Sequence, residues 1–457
     1  MNNDNGFFRR TVLPNGLRIL TSAMPHTHSV SLSLYVRTGS RYERPEEAGV
    51  SHFLEHLLFK GTERWPTAKE IAETVDGVGG MLNGGTDREY TVYYIKVAQP
   101  HLQLALDVLS DLVRRPLMEP AEMEKERQVI LEELAMVADS PPQLADLLLD
   151  SILFPDNPLG RDVAGTPESV AGINREMVMQ YLQKQYIPNN IVMAVAGNVE
   201  HEEIVRAVAK SMADWPGGSP ADWIPASSPN GTRTAVRYKT TEQAHLSLAV
   251  PAVPLNHPDR HSLGFLSVIL GEGMSSRLFI ELREKRGLVY DVHTYVAHFL
   301  DTGTFNIYTG VDPKNAVEAL KIAIRELIQL RDEGVTSEEL TKARELSKGR
   351  LLLRMEDTRS VSGWIGAQEL LLDAVRSVDD VVAEMEAVTL DDLQRVARAI
   401  LDPARLHLAV VGPYRALGPG LDTRPWLLVW TSIGSMTRRS SGLKTQTYMS
   451  AGSNVAG

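Results

Sequence analysis

Ile-Val-Met-Ala-Val-Ala-Gly at residues 191–197 and Leu-His-Leu-Ala-Val-Val-Gly at residues 406–412 are two apolar, strand-like segments that each end at a glycine. The two glycines lie 215 residues apart in a chain of 457. Strands, a helix, a strand pair and further helices precede both segments in the same order, which indicates a duplicated unit. We therefore expect an α+β protein of two tandem, similar domains. Each should have a mixed or antiparallel sheet flanked by helices.

Composition places the domain boundaries. Residues 215–232 are rich in Pro, Gly and Ser and predict a linker. The linker separates a first domain at residues 1–214 from a second at residues 233–416. Residues 417–457 are rich in Gly, Ser, Thr and Arg, with one short apolar piece at 426–430. This composition predicts a disordered or loosely docked tail.

Bulk composition excludes several classes of function. The chain has no cysteine, so disulfides, cysteine nucleophiles and cysteine-ligated metals are ruled out. Its net charge of −11 argues against a nucleic-acid partner, which requires a basic surface. No apolar stretch is long enough for a membrane span, and the polar start does not resemble a signal peptide. We expect a cytoplasmic protein that binds neither nucleic acid nor membrane.

The segment His52-Phe53-Leu54-Glu55-His56 carries the chemistry. On a helix, predicted here for residues 45–60, His52 and His56 lie one turn apart on one face and can bind one metal ion. The neighbouring apolar residues can anchor the opposite face in a core. A catalytic zinc takes three protein ligands and leaves one position open. Glu55 lies beside the same face and is the predicted general base for a water that the metal acidifies.

The third ligand must come from a second element. The helix predicted at residues 119–138 offers Glu126 and Glu133 on roughly one face, and Glu122 and Glu132 also lie on it. Spacing alone does not choose among these four carboxylates. Zinc is expected from the ligand type and from the availability of the metal. The ligand set alone does not select zinc, because histidine and carboxylate ligands also suit manganese and cobalt.

Nearly the whole chain resembles the pitrilysin/insulinase class of zinc peptidases, whose inverted metal motif gives them the name inverzincins. It is similar above all to bacterial relatives of the β subunit of the mitochondrial processing peptidase. Four segments carry the resemblance: HFLEHLLFKGT at 52–62, GGMLNGGTDREYTVYY at 79–94, ERQVILEE at 126–133 and LFIELREKRGLVYDV at 278–292.

The resemblance implies roles for the carboxylates. In the family, about 76 residues separate the second histidine from the third ligand, and 76 residues separate His56 from Glu133. Glu132 is adjacent and is not excluded by that spacing. The family also has an acidic residue seven positions before the ligand, which corresponds to Glu126. Its implied role is to orient the site and to support it electrostatically.

The resemblance also implies how substrate is held. Residues Asn83, Gly84, Gly85 and Thr86 match a sheet edge to which the family adds the peptide as a further strand. Relatives usually have Ala after the Asn, so Gly84 departs from the pattern.

Arg283 and Tyr290, in the second half, match a pair that binds the substrate carbonyl and stabilises the oxyanion. Since the metal motif lies in the other half, we expect the two halves to close as a clamshell about the linker.

Three functional hypotheses follow. The first is a zinc-dependent endopeptidase for short unfolded peptides, acting as a homodimer or as a heterodimer with an inactive homologue. The second is a non-catalytic or partner-dependent subunit of a heteromeric processing peptidase. Inactive relatives lack part of the His/Glu set, whereas this chain keeps His52, Glu55, His56 and Glu133. The third is another metal-dependent hydrolase, for which the sequence offers neither a phosphate-binding loop nor a sugar-binding carboxylate pair.

Overall fold

The structure is a computed structural model that describes residues 6–227 and 234–414. It contains two mixed sheets flanked by helices, so the α+β prediction of two tandem domains is confirmed. Residues 228–232 of the predicted linker and the predicted disordered tail at 417–457 lie outside the described residues.

The first half contains six strands and eight α-helices within the described residues. Its strands are β1 Arg9–Val12, β2 Arg18–Ala23, β3 Ser29–Val36, β4 Met81–Thr86, β5 Thr91–Ala98 and β6 Ile191–Gly197. Its helices are α1 Val50–Leu58, α2 Ala68–Asp76, α3 Leu102–Arg114, α4 Pro120–Asp139, α5 Pro141–Leu153, α6 Pro167–Gly172, α7 Arg175–Gln185 and α8 His201–Met212.

The second half repeats this plan with five strands and six α-helices among the described residues. Its strands are β7 Thr234–Tyr238, β8 Ala244–Ala252, β9 Val289–His298, β10 Gly303–Val311 and β11 His407–Gly412. Its helices are α9 Arg260–Gly271, α10 Ala316–Asp332, α11 Ser337–Arg354, α12 Thr358–Leu372, α13 Val378–Ala387 and α14 Leu390–Ile400, with a π-helix at Phe279–Glu284.

The two sheets have corresponding topologies. The first has the order β1-β2-β6-β3-β5-β4 and the second β7-β11-β8-β10-β9. In each, the closing strand is parallel to one neighbour, β2 for β6 and β7 for β11, and antiparallel to the other. The repeated glycine-terminated segments are therefore equivalent central strands, and both are completely buried. Strand β4 is an edge strand of the first sheet and pairs with β5.

One helix from each half packs on the sheet of the other half. Helix α12 packs on β3 and β6 of the first sheet, and α5 packs on β8 and β11 of the second. Under α12, the hydroxyls of Ser31 and Thr358 lie 2.9 Å apart and those of Ser33 and Ser362 lie 2.8 Å apart. Separating the halves would expose both buried faces to water. This interlock opposes the expected clamshell movement of one half against the other.

Within the described residues, no helix combines the length and the apolar composition that a membrane span requires.

Candidate metal centre

Helix α1 presents the two histidines on a rigid base. Its buried side chains are Val50, Ser51, Phe53, Leu54, Leu57 and Leu58, which belong mainly to the core under the first sheet. The sequence predicted that this helix begins at Pro45, but it begins at Val50. Gly49 adopts φ 94° and separates the helix from a short 3₁₀ turn at Pro45–Glu47. His52 and His56 project from the opposite side, with ring centroids 4.6 Å apart.

Helix α4 packs against α1 and brings Glu133 to both imidazoles. The Glu133 Oε2 atom lies 3.7 Å from His52 Nε2 and 3.6 Å from His56 Nε2. Ligands that share one tetrahedral zinc are separated by roughly 3.4 Å, given bonds of about 2.0–2.2 Å. Glu133 therefore joins the histidines in the one group among the described residues with metal-ligand geometry, and Glu132 and Glu122 do not. These three side chains fit a bound metal ion.

Glu126 lies behind His56 rather than beside the three donors. Its Oε2 atom is 3.1 Å from His56 Nδ1, and its other oxygen forms an ion pair with Lys60 Nζ at 2.6 Å. The arrangement favours the tautomer in which Nδ1–H donates to the carboxylate and Nε2 keeps its lone pair for a ligand bond. Lys60 lies four residues after His56 within the segment 52–62, so helical spacing is the signal that could have indicated this contact.

His52 is neutral at physiological pH. Burial, with a smaller contribution from neighbouring His56, lowers the pKa of His52 to about 4. A metal ligand must present an unprotonated nitrogen, so this environment suits that role. The buried Nδ1 of His52 has no hydrogen-bond partner among the described residues.

Glu55 faces the end of strand β4. Thr86 Oγ1 donates to Glu55 Oε2 at 2.6 Å, which fixes the carboxylate beside the histidines. Burial raises the pKa of Glu55, and the bond from Thr86 lowers it in part. A carboxylate with a raised pKa is the stronger base, as proton abstraction from water requires. The resemblance placed Thr86 in the substrate edge; its contact with Glu55 adds a role that the sequence did not indicate.

Strand β4 is an edge strand that passes directly over α1. Asn83, Gly84 and Gly85 pair with β5 on one side, and the described residues contain no strand on the other. A Cβ atom on Gly84 would lie 3.0 Å from the Phe59 ring and 3.3 Å from Glu55 Cγ, whereas one on Gly85 would meet nothing within 4 Å. The glycine at 84 therefore allows the edge to approach the general-base candidate closely.

Arg283 and Tyr290 meet each other in the second half. Arg283 Nη1 donates to the carbonyl oxygen of Tyr290 at 2.7 Å, and the guanidinium carbon lies 4.8 Å from the centre of the tyrosine ring. Tyr290 is 75% exposed. Within the part of the chain that the structure describes, no hydrogen bond or ion pair links this pair to the α1 histidines or to Glu55.

Two family models match the chain. Residues 18–167 match the model described as insulinase, peptidase family M16, and residues 172–347 match the model described as the peptidase M16 inactive domain. An uncharacterized zinc protease of Streptomyces coelicolor is 39% identical over 421 residues, which are 90% of this chain and 90% of that protein. The uncharacterized zinc protease YmxG of Bacillus subtilis is 37% identical over 89% of this chain and 98% of its own.

Two solved structures share the fold. A protease from Helicobacter pylori has a TM-score of 0.84 at 23% identity and covers 89% of this chain and 99% of its own. The peptidase M16 inactive domain from Pseudomonas fluorescens has a TM-score of 0.83 at 21% identity and covers 91% of this chain and 100% of its own.

Proposed function

The chain belongs to the insulinase family of peptidases, family M16, and we propose that it is a zinc-dependent endopeptidase that hydrolyses short unfolded peptides. One observation carries the proposal. Three donor atoms lie at ligand distances from one another while a half-buried carboxylate, Glu55, lies on the same helix as two of them. Water activation by a metal and a general base requires this combination.

Each residue then has a role. His52, His56 and Glu133 hold the zinc ion, and Glu126 orients His56 through its Nδ1–H. When bound, the ion acidifies the attacking water and polarises the scissile carbonyl. Glu55 takes a proton from that water and later delivers one to the leaving amine.

Strand β4 supplies the substrate-binding edge. Its unpaired side can add an extended peptide as a seventh strand of the first sheet, so that backbone hydrogen bonds hold the substrate with little dependence on its sequence. Folded proteins do not offer such a strand, which supports unfolded peptides as the substrate class.

Arg283 and Tyr290 complete the site by binding the substrate carbonyl and the developing oxyanion. Because the interlocked helices oppose closure within one chain, a second copy is the better source of this pair. We propose a homodimer in which each chain completes the other's site, with an inactive homologue as the alternative partner. A cytoplasmic location stays a prediction.

A second candidate is a non-catalytic or partner-dependent subunit. The match of residues 172–347 to a model described as an inactive domain is the observation that favours it. The complete set of His52, Glu55, His56 and Glu133 supports the catalytic role instead.

The test is cleavage of a quenched fluorescent peptide library by wild type and by Glu55→Gln, with metal content measured in both. The proposal requires that wild type cleaves, that a chelator stops cleavage, and that the variant is inactive while it retains about one zinc per chain. If zinc-loaded wild type cleaves nothing, the non-catalytic or partner-dependent reading replaces it.

A further inference from the structure

Arg41 is completely buried and joins three separate parts of the chain. Its Nη1 donates to Glu89, in the turn between β4 and β5, and its Nη2 donates to Asp301 Oδ1 at 2.5 Å, in the turn between β9 and β10. Its Nε donates to the carbonyl oxygen of Ile224 at 3.0 Å, and the ring of Trp223 lies 4.2 Å from the guanidinium carbon.

The second half is tied to the same point by further bonds. The backbone N–H of Leu300 donates to both oxygens of Glu89, at 3.0 and 3.1 Å. The second oxygen of Asp301 accepts from the backbone N–H of Ala226 at 2.8 Å. The turn at Leu300–Asp301 is thus fixed to the first half and to the segment between the halves by the buried guanidinium of Arg41 together with these three backbone hydrogen bonds.

Glu43 lies two residues beyond Arg41 and reaches the metal-bearing helix. This carboxylate, 1% exposed, accepts from Gly49 N at 2.8 Å and from both N and Oγ of Ser51, at 2.8 and 2.6 Å. The N-cap residue, Gly49, has no side chain that could accept hydrogen bonds from the first backbone N–H groups of α1. Ser51 immediately precedes His52. Glu43 therefore satisfies backbone donors at the start of α1 from outside the helix.

We infer that Arg41 and Glu43 form a brace that sets the position of the metal-bearing helix from the second half, and that both are positioning residues for the reaction. The inference rests on the proposed function. A second branch of the brace runs through Glu89, three residues after Thr86, which holds Glu55. The turn at Leu300–Asp301 then influences both the helix with the histidines and the edge strand above it.

A role in stability alone does not account for the brace. Buried ion pairs contribute little net stability, because desolvation offsets most of their attraction. A planar guanidinium with several directed donors instead fixes the relative orientation of its partners. Precise orientation is what a metal-bearing helix needs, since small displacements of reacting groups slow catalysis strongly.

The test compares Asp301→Asn with a matched control, Glu369→Gln. Both remove a carboxylate of the second half that pairs with arginine in the first. Glu369, however, pairs with Arg10 on β1 and Arg18 on β2, and among the described residues it has no bond to α1 or to the β4–β5 turn. Three readouts are needed: kcat and KM for a peptide, the visible spectrum of the cobalt-substituted protein, and hydrogen exchange of the Ser51 amide in the metal-free protein.

For Asp301→Asn we expect kcat to fall roughly tenfold or more with little change in KM, a changed cobalt spectrum and faster exchange at Ser51. Glu369→Gln should leave all three readouts near wild type after correction for the folded fraction. Glu43→Gln, which keeps the side-chain shape, should also accelerate exchange at Ser51.

The brace is rejected if Asp301→Asn and Glu369→Gln behave alike in the exchange and cobalt measurements. A wild-type protein that binds cobalt but cleaves no peptide would contradict the proposed function instead. The exchange comparison in the metal-free protein would still decide whether the brace exists.

Discussion

Thr86 Oγ1 donates a hydrogen bond to Glu55 Oε2 at 2.6 Å, so the last residue of the edge strand β4 holds the candidate general base. Hydrogen bonds to a charged group contribute about 1.5–3 kcal/mol. We expect Thr86→Val to lower kcat by roughly tenfold to a hundredfold through misplacement of the carboxylate, with metal content unchanged. Steady-state kinetics and metal analysis measure both.

Thr86→Ser is the matched control, because it keeps the hydroxyl and should retain most of the activity. Equal loss in both variants would mean that the methyl group, not the hydrogen bond, is what matters at this position.

Glu133 and Glu132 are neighbours on α4, but only Glu133 belongs to the group with the histidines. Glu133→Gln should abolish stoichiometric zinc binding, since a neutral amide is a far weaker ligand than a carboxylate. Glu132→Gln should bind about one zinc per chain, as wild type does. Metal analysis after dialysis distinguishes them, and zinc retained by Glu133→Gln would exclude it as the third ligand.

Glu126 accepts from His56 Nδ1 and pairs with Lys60. Removal of such an outer partner typically costs 10- to 100-fold in metal affinity, and we expect Glu126→Ala to fall in this range. Competition with a chromophoric chelator measures the affinity. Glu122→Ala, on the same helix but outside the group, serves as the control. An unchanged affinity in Glu126→Ala would show that His56 needs no support from this carboxylate.

Arg283 and Tyr290 contact each other but make no described bond to the histidines. If a second chain supplies this pair, two inactive variants should complement each other. Random exchange of Glu55→Gln with Arg283→Ala should restore about a quarter of wild-type activity, because half the dimers are mixed and each mixed dimer has one complete site. Absence of any recovery, with exchange of chains verified, would mean that one chain builds its whole site.

Asp150 lies on α5, the helix that the first half lends to the second sheet, and burial raises its pKa to about 6 despite the pairing with Arg88. Its ordinary pKa is 3.8, so the folded state binds the proton more tightly than the unfolded state does. The stability this gives is complete below the ordinary pKa and is lost as the pH rises from about 4 to about 6.

Asp150→Asn should therefore remove a decline in stability across that pH range, on the order of 3 kcal/mol. Chemical denaturation of both proteins at several pH values measures the difference. Parallel pH profiles would show that Asp150 has the same proton affinity in the folded and unfolded states.

The sequence was sufficient for features that depend on short-range pattern. Helical spacing indicated that His52 and His56 share a face, and the glycine-terminated strands indicated the duplication. The Thr-x-x-Glu pattern at Thr67 and Glu70, which is typical of a capping box, forms one at the start of α2. The shared face and the capping box depend on residues a few positions apart, where the geometry of the helix fixes the outcome.

Long-range packing was beyond the sequence. The alternation in β3 places serines opposite Val30 and Leu32, a pattern that reads as one solvent-facing side. Ser31 and Ser33 are buried instead, because α12 covers them and its own hydroxyls satisfy theirs. Arg41 gave no signal either, since its partners lie 48, 183 and 260 residues away along the chain.

The exchange of α5 and α12 between the halves has a consequence for biosynthesis. Ribosomes add about 5–20 residues per second, so roughly ten seconds or more separate completion of β6 from emergence of α12. During that interval the nascent first sheet lacks the helix that covers β3 and β6. The first half cannot complete its fold until α12 has left the ribosome. Nascent chains stalled before residue 358 should accordingly recruit chaperones at this uncovered sheet, and chains stalled far enough beyond residue 372 for α12 to have left the ribosome should release them.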